Sequence, residues 1–240
     1  MNFEEFTKCL KLENKILSIT LSNEEDESYM DPKYSCIIQD IDKLPQNTTL
    51  KISNDNLKCP GAGCGSGFND TTPNIPGGFG YFLSYGKGEG YIEGERIKES
   101  PEIAEEMFEN QPKNVLKENK FILVKHFEES DSPTSVLMKV NPDQLSVLIY
   151  LFDFQSPDYD PVYASVSAGC ASVFRMPLHE AFSASKRGVI GNLDIASRIY
   201  TDKNEVYFTV PGTEFFKMIN NAGDSLLITK EWDRIRNRME

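Results

Sequence analysis

Phe121-Ile122-Leu123-Val124-Lys125 and Ser135-Val136-Leu137-Met138-Lys139-Val140, followed at once by Asn141-Pro142-Asp143-Gln144, form the stretch whose reading decides the fold. The first two are β-type runs separated by a Glu/Ser/Asp/Pro turn region, so they read as two strands with no helix between them. A helix then starts. Asn141 can cap it, Pro142 suits its first turn, and Leu145, Leu148, Ile149 and Phe152 turn toward a core. Strand, strand, helix is not the alternation of a regular βαβ repeat.

Working outward, Phe3, Phe6, Leu10 and Leu12 predict an amphipathic helix within residues 3–17. Ile16 to Leu21 predicts a strand, and Asn23 to Ser28 an acidic surface loop without the glycine and ligand spacing of a calcium site. Tyr34–Ile41 and Thr49–Ile52 read as short strands or a helix–strand pair bracketing Cys36. Ser100-Pro101-Glu102-Ile103 opens a helix to about Asn110: a serine cap, a first-turn proline and acids at the positive end of the dipole. Val162–Ser167 and Glu205–Val210 are strand candidates, Pro177–Phe182 is a short helix, and two more helices lie over 213–221 and 229–238. No fixed-period repeat is visible. The class expected is α+β, with a mixed, largely antiparallel sheet and helices packed on it. It forms a single domain over 1–240, or two closely packed halves, 1–120 and 121–240.

Composition narrows the functional classes. Hydrophobic residues make up 39% and aromatics 11%, enough for a true core. The net charge of −12 argues against nucleic acid and anionic membrane surfaces as partners, since both reward clustered Lys and Arg. The N-terminus has neither a basic n-region nor an apolar h-region, so the cytoplasm is the expected compartment. Five cysteines are an odd count for a disulfide framework, and in a reducing compartment they are thiols, metal ligands or redox groups.

The most distinctive local sequence is Cys59-Pro60-Gly61-Ala62-Gly63-Cys64-Gly65-Ser66-Gly67-Phe68. The C-x4-C spacing alone is weak evidence for zinc, whose C-x2-4-C knuckles come with a second pair elsewhere, and it lacks the C-x2-C continuation of plant-type iron–sulfur proteins. Cys36, Cys59, Cys64 and Cys170 could still supply four thiolates to a metal or cluster if the fold converges them. Gly61, Gly63 and Gly65 could expose backbone amides to a phosphate, although the run matches neither a dinucleotide fingerprint nor a P-loop. Such a loop also lowers a thiol pKa, which makes Cys59 the first candidate for a reactive or catalytic thiol. His179 could serve as a fourth ligand or as a base for Cys170, and His126 follows an apolar strand. Lys186-Arg187-Gly188 is a small basic spot. Phe68, Phe79, Tyr81, Phe82, Tyr85 and Tyr91 interleave with glycines, as loops over a pocket do.

Several segments in this order resemble an uncharacterised bacterial and archaeal family, domain-of-unknown-function family 169. They are Tyr34-Ser35-Cys36, Cys59-Pro60-Gly61-Ala62, Gly86-Lys87-Gly88-Glu89-Gly90-Tyr91 before Ser100-Pro101-Glu102-Ile103-Ala104, and Asn141-Pro142-Asp143-Gln144-Leu145-Ser146. Ala168-Gly169-Cys170-Ala171-Ser172 and Phe208-Thr209-Val210-Pro211 complete the set. The likeness covers roughly residues 30 to 238. It implies cysteines at Cys36, Cys59 and Cys170, with Cys64 and Cys9 as additions of this chain, and it implies no activity.

The expected function is therefore a cysteine-lined pocket that binds a metal or iron–sulfur cluster, or carries a redox thiol. The alternative is a non-catalytic small-molecule binding protein that uses the Gly/aromatic loops 61–91. The expected partners are a small ligand or metal and a second copy of the chain in a homo-oligomer, with no nucleic acid or membrane.

Overall fold

A computed structural model describes residues 1–86, 93–157 and 159–239. Its strands are β1 (Ile16–Ser22), β2 (Leu50–Ile52), β3 (Phe121–His126), β4 (Ser135–Val140), β5 (Val162–Ala164), β6 (Gly188–Gly191) and β7 (Val206–Pro211). They form one sheet in the order β2-β3-β1-β4-β7-β6-β5, antiparallel throughout except for the parallel pair β5–β6. The class is α+β. β3 and β4 are not hydrogen-bonded to each other, because β1 lies between them.

Side-chain alternation divides the interior in two. Successive strand residues point to opposite faces, so Ile16, Val136, Met138, Phe208 and Val210 enter one core while Leu17, Ile19, Leu137 and Tyr207 enter the other. The first face is covered by α1 (Phe3–Leu10), α6 (Pro142–Phe152), α9 (Gly212–Asn221) and α10 (Lys230–Arg238), with Phe6, Leu148, Phe215 and Trp232 at its centre. The second is covered by α2 (Ile37–Asp42), by Val115 and Leu116, and by the helix that includes α7 (Met176–Phe182).

The capping chemistry legible in the sequence is present. Asn141 Oδ1 accepts the Gln144 amide at 2.9 Å and Gln144 Oε1 accepts the Asn141 amide at 2.9 Å, a reciprocal capping box. Gln144 also donates to the carbonyls of Leu10 and Lys11, tying the start of α6 to the end of α1. Ser100 caps α5 (Pro101–Glu109). α5 packs on α4 (Phe79–Leu83), where the Phe79 and Phe108 rings meet edge-on at 5.5 Å. That contact makes Phe79 part of the packing between two helices.

One open choice is decided and two local readings are adjusted. Tyr34–Ile52 is a helix–strand pair, α2 then β2, because Ile37, Ile38 and Ile41 share the buried face of one helical turn and a half. β5 stops at Ala164, short of Ser167. Gly188–Gly191, of which the sequence reading took in only Gly188 as part of a small basic spot, is β6, whose Val189 is fully buried. Its glycines hid the strand. A Cβ at Gly188 would stand 2.7 Å from the Phe208 ring, so close approach to the neighbouring strand is the reason for the small residue.

Candidate functional site

The parallel pair needs a crossover, and that crossover builds the site. After β5 the chain enters a helix at Gly169 that runs through a π-helical turn, Ala171–Arg175, into α7 before returning as β6. Gly169 lies where three elements meet. Its amide donates to Asp194 Oδ2 at 3.1 Å, and a Cβ there would stand 2.3 Å from Ser197 Oγ and 3.2 Å from Ile38 Cγ1. Asp194 in turn caps α8 (Ile195–Arg198). Cys170 follows directly, partly buried and packed against the second core.

Cys36 is the N-cap residue of α2 and is also partly buried against that core. Burial raises its pKa, and the amides of Ile38 and Gln39 pull the other way without overcoming it. Cys170 is raised further, first by burial and then by the charges of Cys59, Cys36, Cys64 and Asp194. Cys59 is exposed. Its charge adds to the upward shifts of both Cys36 and Cys170, behind the larger effect of burial. Cys64 is buried, its pKa raised by desolvation, with Arg175 opposing and Asp70 adding to the shift. Cys9 lies on the other face of the sheet, where it accepts the Trp232 indole N–H at 3.2 Å.

The glycine-rich run is a single tight turn, α3 (Ala62–Gly65), rather than an extended loop. Five of its amides are turned inward upon the turn itself. Those of Ala62, Gly65, Ser66, Gly67 and Phe68 donate to the carbonyls of Cys59, Gly61, Ala62, Cys64 and Gly63. These five amides are committed within the turn. Gly61 has ordinary space around it, Gly63 faces the side chains of Asn54 and Asn69, and Gly65 lies against the sulfur of Cys170. Close packing thus accounts for Gly63 and Gly65.

One residue the sequence reading passed over organises this face. Arg175 is 1% exposed. Its Nε and Nη2 donate to the Cys64 carbonyl at 3.0 and 2.6 Å, and Nη2 also donates to the Asn69 carbonyl at 2.6 Å. Nη1 donates to the Asp70 carboxylate at 2.8 Å and to the Pro112 carbonyl at 2.7 Å. These bonds match the five N–H donors of a guanidinium. The available signal was a lone arginine inside the apolar run Ala171–Leu178. Asp194 and Glu95 were also missed. Glu95 is held above the usual carboxylate range by desolvation and then by the Asp194 charge. Backbone bonds from Glu95 and Arg96 to Phe82 and Ser84 bring the Gly/aromatic region to the same side. Lys87 to Tyr91 of that region lie outside the described residues.

The remaining candidates have structural roles or lie apart. His126 bonds to the Leu44 carbonyl at 3.1 Å and to the Gln46 side chain. His179 is exposed on α7. Arg187 is held by the fully buried Glu180, which also accepts hydrogen bonds from Ser183, Ser185 and the Arg187 amide. The guanidinium of Arg187 also lies 4.4 Å over the Tyr163 ring. Among the described residues, no group of three or more His, Cys, Asp and Glu is arranged to hold a metal ion, and no helix is long and apolar enough to cross a membrane.

Fold and site together define an α+β protein in which the glycine-rich turn packs on the start of a crossover helix, with Gly65 against the Cys170 sulfur and Gly169 beside Ile38 of α2. The chain belongs to the DUF169 family, described as uncharacterised ArCR, whose family model matches residues 5–221. No curated protein matches the chain. No solved structure matches it either.

Proposed function

We propose that this protein carries out thiol–disulfide exchange, with Cys59 as the reacting thiol and Cys170 or Cys36 as the thiol that completes the disulfide. The observation that supports this reading is one exposed thiol and two partly buried ones of raised pKa on elements that pack together, Gly65 of the turn after Cys59 lying against the Cys170 sulfur and Gly169 beside Ile38 of α2. An exposed thiol meets the incoming disulfide, while a protonated, partly buried one waits until the first has reacted.

The exchange balances with a disulfide as oxidant. Cys59 loses its proton to solvent, and its thiolate attacks one sulfur of the incoming disulfide, releasing the other as a thiolate. Cys170 or Cys36 then gives up its proton to the thiolate released in the first step, and its own thiolate attacks Cys59 Sγ, breaking the mixed disulfide and releasing a second thiolate that takes a proton from solvent. Two protein thiols are oxidised and one disulfide is reduced to two thiols.

The test treats fully reduced protein with a small disulfide under anaerobic conditions and maps the product by mass spectrometry. An intramolecular disulfide from Cys59 to Cys170 or Cys36 is expected. Cys59→Ser should prevent it, and Cys170→Ser should leave a stable mixed disulfide or shift pairing to Cys36. Wild-type protein that keeps all its thiols through this treatment would rule the reading out. Metal analysis of the anaerobically purified protein tests the competing use of the same cysteines as metal or iron–sulfur ligands.

A further inference from the structure

We infer that Arg175 is a positioning residue that selects Cys170, rather than Cys36, as the partner of Cys59. This deepens the thiol–disulfide reading above and rests on it for its functional meaning. Cys170 and Arg175 stand five residues apart on one helix, separated by a π turn. A π turn closes i to i+5, so residues at that spacing rise above one another on the same side of the helix. Both therefore face the Cys59–Asp70 segment: Gly65 lies against the Cys170 sulfur, and the Cys64 carbonyl lies in the fork of Arg175.

The fork holds that segment at more than one point. Arg175 grips the Cys64 and Asn69 carbonyls and the Asp70 carboxylate, so the turn that follows Cys59 is registered on the helix that carries Cys170. Cys36 belongs to a different element, the start of α2, which Arg175 does not hold through any of its five hydrogen bonds. A rigid planar fork fixes position and orientation, whereas a lysine ammonium supplies the charge without that geometry.

The test uses dibromobimane, a bifunctional alkylating agent that bridges neighbouring thiols without any oxidant. Peptide mapping of the bridged protein reads the ratio of Cys59–Cys170 to Cys59–Cys36 product. Wild type should favour Cys170. Arg175→Lys should lower the ratio about tenfold, short of the roughly hundredfold that a 1 Å misplacement can cost. Asp70→Asn, which removes one charge from the clamp, should lower it less and in the same direction. Alkylation of Cys9, on the opposite face, should not change. Should Arg175→Lys fail to fold, Asp70→Asn carries the test. An unchanged ratio in the folded variants, or a wild type that bridges Cys59 mainly to Cys36, overturns the inference. Because bimane needs no exchange chemistry, a failure of the proposed function leaves this readout intact.

Discussion

Gly65 lies directly against the sulfur of Cys170: a Cβ built on Gly65 would stand 2.2 Å from Sγ. That contact joins the glycine-rich turn to the crossover helix, and it explains why a residue without a side chain occupies the position.

Gly65→Ala should therefore destabilise the protein. The new methyl collides with the Cys170 sulfur at 2.2 Å, while the Ala171 nitrogen and Cys170 Cβ stand at ordinary contact distance, so the sulfur or the turn must shift to admit it. Overpacking of this kind costs about 1–3 kcal/mol, measurable as a lowered urea midpoint. Combining it with Cys170→Ala should recover part of the loss, since the sulfur is the closest obstacle.

Arg175→Met should cost more. The substitution leaves the Asp70 charge and three carbonyls without the guanidinium that satisfies them. Asp70 is about a third exposed and can turn to water, so the cost falls mainly on the carbonyls left without a donor, about 1–3 kcal/mol for each that stays buried. Equilibrium unfolding would reveal it, and a variant as stable as wild type would show that the clamp contributes little.

Stability should fall as the solution becomes alkaline. Cys36 and Cys170 keep their protons to a higher pH when folded than when unfolded. Above the unfolded thiol value of about 8.5 the native state binds more protons than the unfolded chain, so the unfolding free energy decreases with pH. Tyr163, pushed up to about 12 by burial and then by the Glu180 charge, extends the decline beyond the ordinary tyrosine value of about 10. Denaturation midpoints measured at neutral pH and at about pH 9.5 should differ, and less so in the Cys36→Ala/Cys170→Ala double variant.

Asn141→Ala tests the fold away from the thiols. It removes the side-chain acceptor that closes the capping box of α6. Loss of such a cap costs about 1 kcal/mol, and thermal unfolding should register it without changing thiol reactivity.

How far the sequence could be read depended on the range of the interactions. The strands β1, β3, β4 and β7 and the helix α6 were legible because alternation, apolar spacing and capping residues are properties of neighbours in the chain. β6 was hidden because its glycines answer to Phe208 and to Ser172, residues of other elements. For Cys36, Cys59, Cys64 and Cys170 the sequence offered only a conditional set, and the resemblance only their presence at three of these positions, since no spacing links residues so far apart.

The sequence by itself determined an acidic chain with the local pattern of an α+β protein and a cysteine beside each of several turns. Only the tertiary structure decided that β1 enters between β3 and β4, that the glycine-rich turn spends its amides on itself, and that Arg175 fastens that turn to the helix of Cys170. The physical reason is common to all three. Strand order, close packing and a buried guanidinium depend on contacts between segments far apart in the chain, and those contacts leave little trace in the order of residues nearby.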